Sequence, residues 1–199
     1  SFKVTREDPR RSFVERYEML ERRAREERRA AEDDYVRLAR RAVETIVRTG
    51  KLPPVPAELP KEMAGRAGVY VTLTRDGTPH GTYGTFEPSA KSIADEITRN
   101  AAHAARNDTH VTPVTEEELD ALDITVDVLS EPELVGCTEA LDPKTYGIIA
   151  ESRGRKGVML PAAPGIETAE EQLRAARKKA GIPEDAAIRI WRFTSERHA

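Results

Sequence analysis

The sequence predicts an α+β fold in which helices pack on a mixed β-sheet. Apolar residues recur at helical spacing in some segments and alternate along others. The segments follow one another in a β–α–β order with a hairpin, and no internal repeat is visible. Of the 199 residues, 38% are hydrophobic, which is enough for the core of one compact domain, or of one domain with a small lobe.

The first 33 residues are rich in arginine and glutamate and are predicted to form a charged helical extension. Both residue types favour helix, and Glu18–Arg22 and Glu21–Arg25 have the spacing of helical ion pairs. A short apolar docking stripe along this helix consists of Phe13, Tyr17 and Leu20. Two interpretations are open: a solvated extension, or a helix that binds a partner or dimerises.

The next segments predict a helix and a hairpin. Residues 34–49 carry apolar side chains at helical spacing, and Gly50 is typical of a helix end. A proline-rich connector follows. Alternation over residues 69–73 predicts a strand, and Asp76-Gly77 predicts a tight turn.

The segment that returns from this turn, residues 78–86, is predicted to be a poor ordinary strand. The residues that weaken it are Pro79, Gly81 and Gly84. Residues 89–106 then predict a helix with Ser89 as its cap.

Capping boxes and alternation predict the remaining elements. Thr115 with Glu118 starts a short helix, and Thr168 with Glu171 starts one that runs to Ala180. The remaining strands are predicted at residues 124–128, 148–149, 157–160 and 188–193.

Charge and composition limit the location and partners of the protein. The net charge of −3 argues against nucleic acid as a partner unless there is a local basic patch. No apolar run approaches the roughly 20 residues of a membrane-spanning helix, and the first residues lack the apolar part of a secretion signal. With the single cysteine Cys137, these features lead us to expect a cytoplasmic protein without a membrane role.

Several short motifs occur in the order in which the AMMECR-type domain carries them. They lie at residues 68–73, 81–86, 113–115, 126–130, 141–144, 146–147, 154–157, 160–161, 170–172 and 179–182. Over residues 35–198 the chain therefore resembles this family, and within it the bacterial branch called AmmeMemoRadiSam system protein A. The resemblance implies a mixed, largely antiparallel sheet with flanking helices and a smaller lobe. It divides the chain into the extension 1–33 and an AMMECR-type domain over 34–199.

The family hallmark Leu-Arg-Gly-Cys-Ile-Gly is altered in this chain. The corresponding residues are Pro79-His80-Gly81-Thr82-Tyr83-Gly84, so both glycines remain while His80 replaces the arginine and Thr82 the cysteine. No cysteine nucleophile is available at this position. Either the same pocket runs different chemistry, or the site has lost its original role.

The altered hallmark provides the candidate catalytic residues His80, Tyr83 and Thr82. A histidine can move protons near neutral pH, and a tyrosine can donate a hydrogen bond. On a regular extended segment, His80 and Thr82 would share one face and Tyr83 the other, whereas a bend at Gly81 or Gly84 would bring them together. The alternative is a histidine on the surface of a hairpin and a tyrosine that packs.

Other residues are candidates for binding a substrate. They are Gly81 and Gly84, whose backbone a ligand can approach, the basic residue Arg155 in a turn, and His110. Arg153, Arg155 and Lys156 together can hold an anion, or can simply form a solvated turn. The spacing of His80, His103 and His110 matches no metal-ligand pattern, so we expect neither a metal nor a cofactor.

The family resemblance implies association with a Memo-like protein, whose fold resembles extradiol dioxygenases, or with a radical SAM protein. The leading hypothesis is an enzyme or enzyme component acting on a small anionic metabolite, such as one derived from an aromatic compound. The alternative is a non-catalytic adaptor that binds protein or RNA through residues 1–33.

Overall fold

The computed structural model of the chain describes residues 9–106, 112–136 and 138–199, with side chains from residue 13 onward except that of residue 139. These residues form the helices α1 (Pro9–Ala31), α2 (Asp34–Thr49), α3 (Ile93–Arg106) and α4 (Ala169–Ala180). They also form the strands β1 (Val69–Arg75), β2 (Thr78–Thr85), β3 (Leu122–Leu129), β4 (Glu133–Val135), β5 (Gly147–Ser152), β6 (Arg155–Met159), β7 (Arg189–Phe193) and β8 (Ser195–His198). Three short 3-10 helices span Lys61–Ala64, Glu116–Ala121 and Thr138–Ala140.

The first sheet has the strand order β2-β1-β3-β8, and all its pairings are antiparallel. Its inward residues Val71, Leu73 and Val126 are fully buried in one core with α2 and α3. Alternation along β1 and β3 places these apolar residues on one face, and the helical period of α2 and α3 supplies the opposing stripe. This packing fixes α3 against β1 and β2, where the candidate residues lie.

The second sheet has the order β4-β7-β5-β6 and is also antiparallel throughout. Helix α4 covers it, and a capping box of Thr168 with Glu171 starts this helix as the sequence predicts. Gly157 of β6 lies so close to α4 that an added Cβ would be 1.9 Å from the carbonyl oxygen of Ala176. The second sheet and α4 therefore form their own small core.

An apolar cluster joins the two sheets. Leu129 of β3, Ile149 of β5 and Phe193 of β7 are buried in it, and Tyr70 and Trp191 pack against them. The α+β fold class is confirmed, and all pairings among the described strands are antiparallel.

Helix α1 touches the rest of the chain mainly through arginines near its end. Arg28 Nε donates to the carboxylate of Asp123 at 3.1 Å, and Arg29 donates to the carbonyl of Leu119 at 3.0 Å. The predicted stripe of Phe13, Tyr17 and Leu20 stays exposed. Residue 33, where the sequence predicts a domain boundary, falls between α1 and α2. Whether the two parts are separate domains stays a prediction.

Some elements differ from the sequence-based expectation. Helix α3 begins at Ile93 instead of residue 89, because Ser92 accepts the N–H of Asp95 at its start. The segment expected to be a poor strand forms β2, the short strands β4 and β8 were not expected, and the short helix after Thr115 is a 3-10 helix. None of the helices in the described ranges combines the length and the apolar character needed to cross a bilayer.

Candidate functional site

The altered hallmark lies on β2, at the edge of the first sheet, and contains a β-bulge. Gly81 is opposite Leu73 and Pro79 is opposite Thr74, so His80 has no partner residue on β1. Gly81 adopts φ 151°, in the region that favours glycine. Bulges change the direction of a side chain at a sheet edge, and this one redirects His80.

His80 is redirected toward a carboxylate. Its Nε2 atom lies 3.3 Å from Oε2 of Glu118, and about 16% of the His80 side chain is exposed. Glu118 also accepts the N–H of Thr115 at 3.0 Å and a guanidinium N–H of Arg75 at 2.5 Å. The hydrogen bond from Thr115 outweighs the effect of partial burial and, with His80 and Arg75, lowers the pKa of this carboxyl below its ordinary value.

The phenol ring of Tyr83 stacks on the imidazole of His103 in α3. The ring centroids are 4.6 Å apart and the planes are inclined by 24°. Both His80 and Tyr83 therefore contact elements on the helix-covered side of the sheet. Thr82, opposite Thr72 in the register, points to the other side. His80 and Tyr83 thus lie on one side of the sheet, as expected for a bend at Gly81 and not for a regular extended segment.

The two hallmark glycines allow close packing. An added Cβ at Gly81 would be 2.2 Å from the carbonyl oxygen of Ala104, and one at Gly84 would be 2.2 Å from the ring of Tyr70. Burial raises the pKa of the Tyr70 phenol to about 12, so this group stays neutral. On the sides where a Cβ would point, both glycines are covered by protein, and their predicted role in substrate binding stays a prediction.

A buried carboxylate holds the end of the hallmark segment in place. Glu96 of α3 is 1% exposed and accepts hydrogen bonds from the Thr85 hydroxyl and from the N–H groups of Ser89 and Ala90, at 3.0 and 2.6 Å for the two amides. Asn100 donates to the carbonyl of Val69 at 2.9 Å. These bonds fasten β1 and the end of β2 to α3, which gives the site a rigid support.

Arg155 is directed to the end of α4. Its guanidinium donates to the carbonyl of Gly181 at 2.6 Å. The next residue, Lys156, instead contacts residues that follow the hallmark segment, with Nζ 2.9 Å from a carboxylate oxygen of Glu87 and 4.9 Å from the centre of the Phe86 ring. At the rise of a strand, Phe86 is roughly 20 Å along the chain from His80, so Lys156 belongs to a different surface.

That surface is a groove of about 260 Å³ between the two sheets. Its lining residues are Phe86, Glu87, Pro132, Ile149, Glu151, Lys156 and Trp191. Each of its two aromatic rings carries a cation, with Lys156 over Phe86 and Arg189 over Trp191. Both cations also pair with carboxylates, those of Glu87 and Glu151.

The remaining candidate, His110, lies outside the described residues, as does the single cysteine Cys137. Within the described ranges, no three His, Cys, Asp or Glu side chains are arranged to hold a metal ion. The contributions of Glu118 and Arg75 were missed, since the sequence identified Glu118 only as a helix cap. The capping box was the local signal that pointed to Glu118.

Comparison with known proteins relates this chain to proteins from bacteria and archaea. A Thermotoga maritima protein is 45% identical over 170 residues, which cover 84% of this chain and 98% of that protein. A Clostridium acetobutylicum protein is 39% identical over 175 residues, which cover 87% of this chain but 37% of that longer protein.

A solved structure has the same fold. The crystal structure of the uncharacterized protein PH0010 from Pyrococcus horikoshii matches with a TM-score of 0.75 and 31% identity, covering 82% of this chain and 88% of that one. The sequence profile described as AMMECR1 matches residues 36–198, from the first buried residue of α2 to the end of β8. Sequence motifs, fold and profile agree, and the chain belongs to the AMMECR1 family.

Proposed function

We propose that this protein is an enzyme or enzyme component that transfers a proton to or from a small anionic metabolite at His80. The observation that supports it is the His80–Glu118 contact at 3.3 Å. A carboxylate behind a histidine fixes the orientation of its ring, which is the arrangement used for general acid–base catalysis.

The neighbours of His80 have distinct roles in this proposal. Glu118 orients the imidazole, and Tyr83 offers its phenol as a hydrogen-bond donor from the same side of the sheet. Arg75 provides a positive charge: 45% of its side chain is exposed while it contacts Glu118, so it can also meet an anionic group. Thr82 and Arg155, both candidates from the sequence, contribute least here because their side chains are directed elsewhere.

The partner in this proposal comes from the family resemblance. A Memo-like or radical SAM protein would produce or consume the metabolite, and a substrate derived from an aromatic compound fits a Memo-like partner of dioxygenase fold. Co-purification of the tagged chain with each candidate partner tests this step separately from the chemistry.

A thermal-shift screen tests the proposal. The panel contains keto and hydroxy acids, ring-cleavage products of catechols and phosphorylated metabolites. A ligand at 100 times its dissociation constant should stabilise the protein by about 2.7 kcal/mol. We expect a carboxylate ligand that raises the melting temperature of the unchanged protein but not that of His80→Gln. The control is Glu117→Gln, a change at an exposed neighbour of Glu118, which should retain the rise in melting temperature. A ligand that stabilises both variants equally would place binding elsewhere and refute the role of His80.

A further inference from the structure

The first half of α1 exposes more apolar side chain than a solvated helix requires. Phe13 is 70% exposed, Tyr17 58% and Leu20 61%. Val14 and Met19 are also more than half exposed, but they lie roughly 90° and 130° around the helix from these three, which form the contiguous set. Single exposed apolar residues are ordinary, but a contiguous set on one helix marks an interaction surface.

The spacing of these residues is that of a short coiled-coil seam. Phe13, Tyr17, Leu20 and Ala24 follow one another at intervals of four, three and four residues. In heptad notation they occupy the core positions d, a, d and a, which face a partner helix. This seam is defined by these four residues.

The charges beside the seam suit a second copy of the same helix. In a parallel pair, position g of one helix meets position e of the next heptad on the other. Here these positions are Arg16 and Glu21, which have opposite charges. The two-fold axis would form this contact twice.

The next such positions, Arg23 and Arg28, have the same charge but already have partners within the chain. Arg23 pairs with Glu27 at 3.0 Å and Arg28 with Asp123 at 3.1 Å. An antiparallel pair would instead bring Arg16 close to Arg23, and both are positive. The charges therefore favour the parallel arrangement.

The attachment of α1 to its own domain leaves the first three seam residues exposed, while Ala24 is half-buried. Arg25 pairs with Asp76 at 3.6 Å and Arg29 with Asp120 at 3.2 Å. At 3.6 residues per turn, Arg25 lies roughly 110° and Arg29 roughly 150° around the helix from the seam. A second helix can thus lie along the seam while each α1 remains fixed to its own domain, and the two domains lie on opposite sides of the pair.

We propose that the seam on α1 binds the same seam of a second copy of this chain in a parallel two-stranded coiled coil. The site described above plays no part in this inference. Two chains with reciprocal charge changes give the sharpest test. In its own dimer, the Arg16→Glu variant places two glutamates opposite each other, and the Glu21→Arg variant places two arginines opposite each other.

Sedimentation equilibrium of the full chain measures the association. We expect a concentration-dependent dimer for the unchanged protein, and a roughly tenfold weaker dimer for either single variant. An equimolar mixture of the two variants should recover dimerisation, because a mixed dimer restores contacts between opposite charges. Leu20→Glu should abolish it, and circular dichroism should show that all variants retain their helix content.

Two results would overturn the proposal. One is a chain that stays monomeric at the highest soluble concentration. The other is a dimer that neither charge variant weakens, or whose variants do not recover on mixing, since a parallel seam requires both effects. Arg22→Glu, an exposed change away from the seam, is the matched control and should leave the dimer unchanged.

Discussion

The imidazole of His80 and the carboxylate of Glu118 lie 3.3 Å apart although 38 residues separate them in the chain. Two local features bring them together: the bulge on β2 and the capping box that starts the 3-10 helix Glu116–Ala121. The same carboxylate accepts the N–H of Thr115, so a group that starts a helix also orients the histidine. Because of this shared use, we expect a change at Glu118 to disturb both the helix start and the orientation of His80.

The pair should behave as one unit in any assay of the proposed activity. We expect His80→Gln and Glu118→Gln each to reduce turnover about 100-fold or more, and the double variant to lose no more than the worse single one. Kinetics on a ligand identified by thermal shift provide the measurement. Glu117→Gln is the control, and losses that multiply in the double variant would show that the residues act independently.

Gly81→Ala should destabilise the fold strongly. The new Cβ would be 2.2 Å from the carbonyl of Ala104, and φ 151° is itself unfavourable for alanine. We expect a loss of about 3 kcal/mol in the free energy of unfolding, measured by urea denaturation. Gly77→Ala separates the two causes: Gly77 has φ 74° but open space around it, so we expect about 1 kcal/mol there. Equal losses would mean that the close approach to α3 contributes nothing.

Much of the fold could be predicted because its signals are local. Alternation identified β1 and β3, Asp76-Gly77 identified the hairpin, and the capping box at Thr168 identified the start of α4. Each of these depends on residues within a few positions of one another, so one sequence is enough to find them.

The rest depends on contacts between distant segments. β4 has three residues and β8 has four, too short for alternation to be seen, and both exist because they pair with β7 and β3. The bulge at His80 is defined by the register of β1, which no local pattern specifies. The sequence therefore left two arrangements of these side chains open, a regular extended segment or one bent at Gly81 or Gly84, and could not choose between them.

Arg155 should affect stability rather than ligand binding. Its guanidinium donates to the carbonyl of Gly181, the left-handed residue that ends α4. We expect Arg155→Ala to lower the free energy of unfolding by about 1 kcal/mol and to leave the thermal shift given by a ligand unchanged. Arg153→Ala, at an exposed position in the preceding turn, is the control and should do neither. If Arg155→Ala abolished the ligand shift without altering stability, a substrate-binding role for this arginine would be supported instead.

The carboxylate of Glu96 should make stability depend on pH. Burial raises its pKa, but hydrogen bonds from Thr85, Ala90 and Ser89 outweigh burial, and the pKa lies below the ordinary value of 4.5. A carboxyl whose pKa is lower in the folded state stabilises the protein fully above pH 4.5, and this contribution is lost as the pH falls through the folded-state value. Glu96→Gln should therefore lower the free energy of unfolding by about 2 kcal/mol at neutral pH. The reason is that the backbone N–H groups of Ser89 and Ala90 would face either an NH₂ group or a weaker acceptor.

The measurement for Glu96 is urea denaturation of wild type and variant from pH 7 to pH 3. The difference in free energy of unfolding should be largest at neutral pH and should narrow below pH 4.5, as the wild-type carboxylate becomes protonated. Glu170→Gln, an exposed glutamate in the first turn of α4, is the control and should show a small difference at every pH. A difference for Glu96→Gln that stayed constant across this range would mean that the charge contributes nothing. The side chain would then hold the hallmark segment through shape and neutral hydrogen bonds alone.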